Sequence, residues 1–255
     1  LPTKDNYMPE MTWKEIKEIL PKVKVAVIPA GSTEQHGPHL PLQSDTAFCL
    51  YICRKASEVV YPMSMVTPPI SVGISTHHLK FSGSLTVRPE TFVDTIYDFA
   101  WSLKRHGIRR VVIVNGHGGN AAAIKLAARR IMDELGLTSA SLSYWELLGA
   151  QKAREILSTY PRVPGHACEF ETSLSYVIQP ELIRGDKIGA SDGIAPSPYE
   201  SFLSKIEVED SRSGVSRGDP TAATPEKGRK LVDFIVEEMA SFLTRFGEQE
   251  ERVDV

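Results

Sequence analysis

The sequence predicts an α/β fold, a mostly parallel central sheet covered by helices on both faces. Three observations carry this expectation. Strand-like runs alternate with helical runs of ten or more residues along the chain, the pattern of repeated βαβ units. Two of the strand-like runs, "VKVAVIPAG" and "IRRVVIVNGHGGN", are rich in β-branched apolar residues up to the point where they break, as strands buried on both faces are. At 255 residues the chain is long enough to bury roughly three-quarters of its unfolded surface in one large domain. A single domain over residues 1–255 is therefore expected.

Taken in order, "MTWKEIKEIL" opens with Thr12 and Glu15 at capping-box spacing, followed by apolar residues at helical spacing, and reads as a short amphipathic helix. "VKVAVIPAG" is a strand that Pro29 and Gly31 stop,. Directly after it comes "GSTEQHGPHLPLQSD", Gly31 to Asp45, too broken by Pro and Gly to be helix or strand,. From Asp45, "DTAFCLYICRKASEVV" returns to helical periodicity, with Asp45 as its N-cap or just ahead of it,. Cys49 and Cys53, four apart on this helix, read as core residues. "MSMVTPPISVG" is strand and turn, and "GSLTV" reads as a further short extended run. Pro89 suits the first turn of the helix "PETFVDTIYDFAWSLKRHG", which a basic last turn and Gly107 close,.

"IRRVVIVNGHGGN" is a buried strand running into a glycine-rich loop, and "AAAIKLAARRIMDELG" is the next helix, again ended by Gly,. "TSASLSYW" supplies a further strand, "ELLGAQKAREILSTY" and "CEFETSLSYVI" are helical, and "PRVPGHA" is a loop between them. The stretch from Gly185 to about Pro225 is irregular for its length, which marks a functional or a disordered segment. Its expected roles are to close over a pocket or to join a neighbouring subunit. The last helix, "PEKGRKLVDFIVEEMASFLTRF", places Leu231, Phe234, Ile235, Met239, Phe242 and Leu243 on one face,.

Composition narrows the function. With 29 basic against 32 acidic residues, a formal net charge of -3 and no basic run, the chain has no electrostatic footprint for nucleic acid or for an anionic membrane. A small-molecule substrate is the expected partner. Neither a leader of the charged-then-apolar kind nor an apolar run of about 18 residues is seen, so a cytoplasmic protein is expected. Cys49, Cys53 and Cys168 form no CxxC pair, which suits a reducing compartment and argues against a thiolate zinc site.

Glu34, His36 and Asp45 leave the carboxyl end of one strand and His117 leaves that of another, so the loops carrying them can lie side by side where α/β sheets gather their ligands. Two carboxylates and two imidazoles are a donor set for a borderline divalent ion such as zinc, manganese or iron. In extended backbone Glu34 and His36 project to one side and Gln35 to the other. His39 is ambiguous. "NGHGGN" could instead cradle a phosphate, but it has neither the GK[ST] ending of a P-loop nor GxGxxG spacing,. In "GHACEFETS", His166 and Glu171 could supply a proton shuttle and a further ligand, while Glu169 and Glu171 would equally suit a helix N-terminus. Cys168 beside His166 invites a cysteine nucleophile, for which no Cys–His geometry or electropositive surrounding is legible.

"PAGSTEQHGPHLPLQSD", "NGHGGN", "HACEFETS" and "GVSRGDPTAATPEKG" together resemble the creatininase (creatinine amidohydrolase) family, in the family's order and over most of the chain. The resemblance implies a three-layer α/β/α fold, a two-metal hydrolytic centre and a homo-oligomer, commonly a hexamer. It implies Glu34 and His117 as ligands of one metal, His36 of the other, and Asp45 as the bridge. His166 would transfer protons, with Glu171 as its partner.

Creatinine-hydrolysing members carry an aromatic residue and a metal-binding Glu where Gly118 and Gly119 stand here, so the expectation is that Glu171 or else Glu169 supplies the missing ligand, or that the second metal binds weakly. His77 and His78 in "GISTHHLKFSG" resemble a pocket segment or are an exposed pair. Ser82, Gly83, Trp145, Gly118 and Gly119 are further pocket candidates. The expected reaction is hydrolysis of a C–N bond in a cyclic amide or formamide. The alternatives are C–C hydrolysis of a cyclic keto-sugar of the keto-inositol type and a non-catalytic oligomeric scaffold. Relatives of this glycine form include ring-opening or deformylating enzymes, a peptidase and keto-sugar hydrolases.

Overall fold

Alternate residues of two neighbouring strands divide the interior into two cores. The computed structural model describes positions 6–159, 165–190, 211–216 and 218–249. Strand β1 (Val25–Ala30) lies in parallel register beside β3 (Arg110–Asn115), with β2 (Ser64–Val66) outside β1 and β4 (Thr138–Ser143) outside β3. All three pairings are parallel.

Val25, Val27, Val112 and Val114 face one way, onto α2 (Ser44–Val59), α6 (Glu169–Ile178) and α7 (Pro225–Glu248), where Phe48, Ile52, Phe170, Leu231 and Met239 cover them. Ala26, Ile28, Val111 and Ile113 face the other way, onto α3 (Pro89–Arg105) and α4 (Ala121–Leu135). The period-2 alternation of a strand thus makes three layers, α/β/α. Ile28 and Ile113 are wholly buried, which stabilises the fold by about 1.5–3 kcal/mol for each side chain.

Local signals act where the sequence places them. Helix α1 (Trp13–Ile19) carries the full Thr12–Glu15 capping box, α3 begins at Pro89, and α4 stops at Gly136 in the left-handed region. Cys49 and Cys53 are buried in the core. In α7, Leu231, Ile235, Met239 and Leu243 are buried, and Phe234 and Phe242 pack at the rim of the same cluster.

Three expectations are corrected. Asp45 is neither N-cap nor ahead of α2; it lies in the first turn, with Gln43 as N-cap, because the Ser44 hydroxyl and N–H both bond to the Pro41 carbonyl and start the helix early. "GSLTV" forms no strand: Leu85 N–H reaches Thr33 and Val87 N–H reaches Gly73, single bonds to loops that build no ladder. The segment "ELLGAQKAREILSTY" is helical only in part, as a 3-10 turn (Tyr144–Leu148) followed by α5 (Gly149–Ile156). Positions 160–164 of the loop ahead of His166, and 191–210 and 217 of the long irregular stretch, lie outside the described residues. Among the described residues no helix is long and apolar enough to cross a membrane.

Candidate metal centre at the carboxyl end of the sheet

Because Ala30 and Asn115 are register partners at the ends of β1 and β3, the segments that leave these strands emerge together. Glu34 and His36 come from the first. His117 comes from the second, where Asn115 holds it: the Asn115 amide accepts the His117 N–H and donates to its carbonyl. Asp45 enters from the first turn of α2. Its two oxygens divide between the histidines, with Oδ1 at 3.0 Å from His36 Nε2 and Oδ2 at 3.1 Å from His117 Nδ1. Glu34 Oε1 is 3.1 Å from His117 Nδ1, and Ser75 Oγ donates to Glu34 Oε2 at 2.6 Å.

Both histidines turn one nitrogen toward the centre and hold the other on a backbone carbonyl. His117 Nε2 donates to Ile74 O at 3.0 Å, and His36 Nδ1 to Glu34 O at 3.2 Å. This is how metal-ligating imidazoles are oriented. Glu34 Oε1 and Asp45 Oδ2 are buried with no hydrogen bond, although ring nitrogens approach them at 3.0–3.1 Å, because those nitrogens lie off the hydrogen-bond line. Buried carboxylate oxygens without a donor are costly, and a cation between them and the imidazoles would satisfy both. Three donor groups meet that description: Glu34, His36 and His166; Glu34, His77 and His117; and His36, Asp45 and Glu171.

The two glutamates of α6 part company. Glu171 Oε2 accepts the Ala167 N–H and lies 3.8 Å from His36 Nε2. Glu169 points away: its oxygens accept from Ser158 N–H, Thr159 N–H and Oγ1, and from Lys227 Nζ at 2.5 Å. Glu169→Ala should accordingly leave metal content unchanged while lowering stability by about 3 kcal/mol, the cost of breaking a buried, hydrogen-bonded ion pair. Elemental analysis and urea unfolding of the variant check both halves.

His166 sits over the cluster, its ring 4.4 Å from that of His36 and 4.5 Å from that of His78. Its neighbour Ala167 has φ 50, a left-handed conformation rare for a residue with a Cβ, and the Glu171 carboxylate bonds that strained N–H. His77 and His78 are both buried, so the exposed-pair reading fails. His78 Nε2 is 3.0 Å from Glu34 Oε1, and the His77 ring stacks parallel to His117 at 5.5 Å. Ser82 and Gly83 are exposed, Trp145 packs edge-on against Tyr144 at the rim of the core, and no contact brings these three to the cluster. His39 is turned away, with Nε2 on Thr172 Oγ1.

Burial works against charge on His36, but the Asp45 and Glu171 carboxylates outweigh it and raise its pKa from 6.5 to about 10. Burial, with Asp45 beside it, raises Glu171 to about 7 against the pull of His36. Burial, with the positive His36 ring beside it, holds His166 well below its ordinary value, so it is neutral near pH 7. Burial pushes the Cys168 thiol up to about 12, which removes the cysteine-nucleophile reading. The phosphate-cradle reading fares no better, since the His117 and Asn120 N–H groups are taken within the loop.

In the metal-free protein, protons on His36 and Glu171 thus stand where a cation would. Metal binding should release them, measurable as a buffer-dependent enthalpy in titration calorimetry. The raised His36 pKa also fixes a sign: its stabilisation of the metal-free fold is complete below about pH 6.5 and is lost as pH rises through about 10,. The urea midpoint of metal-free protein should fall across that window.

A family model described as creatinine amidohydrolase matches residues 9–243. The chain belongs to the creatininase family. It is 30% identical over 234 residues to the mycofactocin precursor peptide peptidase of Mycobacterium ulcerans, covering 86% of this chain and 84% of the relative. To the creatinine amidohydrolase of Pseudomonas putida it is 26% identical over 255 residues, covering 93% and 96%. A crystal structure of creatininase superposes with a TM-score of 0.86 at 24% identity, over 97% of this chain and all of the other. A manganese form of creatininase superposes at 0.81, also at 24% identity, over 96% and 100%. These two establish the three-layer fold.

The glycine at position 119 has a structural counterpart. A Cβ there would run into the Ile74 carbonyl and His117 Nε2 and would reach to 2.9 Å from His77 Cε1. A Cβ on Gly118 would meet nothing within 4 Å. Sequence reasoning missed Gln35, Ser75 and Asn115 as neighbours of the cluster. The pairing of Asn115 and His117 two apart after a strand was the available signal; Ser75 and Gln35 offered none.

Proposed function

We propose that the chain is a metal-dependent hydrolase that holds two divalent ions and cleaves an amide-type C–N bond in a small molecule. The observation that carries this reading is Asp45, one buried carboxylate with an oxygen on each of two histidines. Glu34 and His117 would complete one donor set; His36 and Glu171 would complete the other. Zinc, manganese and iron suit this mixture of nitrogen and oxygen donors. When bound, such ions polarise a carbonyl and bring a water to hydroxide near neutral pH. The chain supplies the rest. His166, neutral and at the mouth, moves a proton between the attacking water and the leaving nitrogen. Glu171 holds the strained Ala167 peptide on which the placement of His166 depends.

The names of the two relatives, a peptidase and an amidohydrolase, support an amide-type bond. The glycines at 118 and 119 argue against creatinine itself. The reading includes a cytoplasmic homo-oligomer, to be checked by light scattering.

The deciding experiment measures metal per chain in protein purified without added metal, beside hydrolysis of a panel of cyclic amides, formamides and short peptides. About two ions are expected in the wild type, falling by about one in Glu171→Ala, with turnover lost but metal kept in His166→Ala. Absence of metal from the wild type would end the proposal.

A further inference from the structure

We propose that Gln35 sets the tautomers of His78 and His166 and so selects Nδ1 of His166 as the nitrogen that faces the reacting groups. The Gln35 side chain is buried between them. Its Oε1 accepts the Gly37 N–H at 2.9 Å, and its Nε2 lies 3.2 Å from the Gly214 carbonyl, 2.9 Å from His78 Nδ1 and 2.9 Å from His166 Nε2. Exchanging the amide oxygen and nitrogen would set an NH2 against the Gly37 N–H and an oxygen against the Gly214 carbonyl. The amide orientation is therefore fixed by partners that each have a single role. Both are glycines with positive φ, 64 and 75, and a Cβ on Gly214 would collide with Gln35 Oε1.

One amide hydrogen goes to Gly214. For the other there are two neighbours, and the backbone decides between them. His166 Nε2 is also 2.7 Å from the Gln35 main-chain carbonyl, which can only accept. A bare Nε2 would face that oxygen lone pair to lone pair, so Nε2 carries the hydrogen and donates it. Its approach to the Gln35 amide is then a contact with no proton in it. The remaining amide hydrogen is donated to His78 Nδ1. His78 is left protonated at Nε2, against Glu34 Oε1 at 3.0 Å. His166 is left with a bare Nδ1, 3.8 Å from the same oxygen. A two-way backbone bridge between His166 and Ser216, 2.9 Å in each direction, holds the residue in register. One glutamine thus points two rings in opposite senses, through its side chain to one and its main chain to the other, as a positioning residue.

The consequence for turnover, that His166 exchanges protons at Nδ1 while Nε2 stays on the Gln35 carbonyl, rests on the hydrolase reading; the tautomer assignment does not. Long-range proton–nitrogen spectra of histidine-labelled, metal-free full-length protein in mildly alkaline buffer read it directly, with His78→Asn and His166→Asn assigning the signals. Both rings are expected to carry their proton on Nε2. In Gln35→Glu, whose side chain can still accept from Gly37 but has no hydrogen for His78, the His78 proton should move to Nδ1 while His166 stays unchanged. Turnover should drop at least tenfold.

Gly214→Ala, which crowds the same side chain, should likewise release His78 and serves if Gln35→Glu does not fold. A wild-type His78 or His166 protonated on Nδ1, or a His78 signal indifferent to both variants, overturns the proposal. The assigned tautomers in a wild type that hydrolyses none of the amide panel would uphold the assignment and sink only the hydrolase reading.

Discussion

Alanine at position 45 is expected to abolish metal binding in both halves of the centre at once and to cut turnover by on the order of 10³-fold or more, about 4 kcal/mol of barrier. Asp45 is the group that touches both His36 and His117; Glu34 and Glu171 each flank one side. The metal-free variant should suffer as well. Without Asp45, the largest of the charges that raise His36 is gone, and a buried ring loses its hydrogen-bonded partner at a cost of about 3–5 kcal/mol. Elemental analysis, turnover and urea unfolding of metal-free protein read the three effects separately. Full turnover in a metal-free Asp45→Ala protein would sink the metal reading outright.

Introducing at position 119 the glutamate of creatinine-hydrolysing members should fail to make a creatinine hydrolase. In this backbone the first atom of any side chain at 119 strikes the Ile74 carbonyl and His117 Nε2, the same two atoms that bond to orient the ring. Gly119→Glu is therefore expected to lower stability by about 2–4 kcal/mol through overpacking and the lost hydrogen bond. It should also reduce metal content by displacing His117. Gly118→Ala, one residue earlier with open space around it, should change stability by no more than about 0.5 kcal/mol. If Gly119→Glu binds metal as well as the wild type, the crowding at this position does not govern the centre.

Much of this is legible in the sequence, and the reasons are specific. Two buried strands in a parallel sheet bring the loops after them together, so Glu34, His36, Asp45 and His117 could be grouped from position alone. Glu169 and Glu171 could not be told apart, because both stand in the first turn of α6. What separates them is Lys227, which reaches Glu169 from a helix distant in sequence. For His77 and His78 the sequence does not choose between pocket and surface. A single 3-10 turn buries both, and nothing in a local pattern reports that. Strand geometry turns Gln35 away from the cluster, a rule that lapses in a segment shaped by Gly37 and Pro38. Its other partner, Gly214, is remote in sequence. "GSLTV" has the composition of a strand and lacks only a neighbour at the right spacing.

The depth of the cluster has a bearing on time as well as on affinity. Glu34, His36, Asp45 and His117 are at most 3% exposed, while His166 and Glu171 reach 16% and 11%. An ion held by the inner ligands would lie beneath these two more exposed side chains, and its exchange is expected to follow the local opening that uncovers it. Exchange is then a matter of local unfolding kinetics. Protein taken from the cell would keep a record of the ions that were present when it folded, and later changes in the medium would reach the centre slowly.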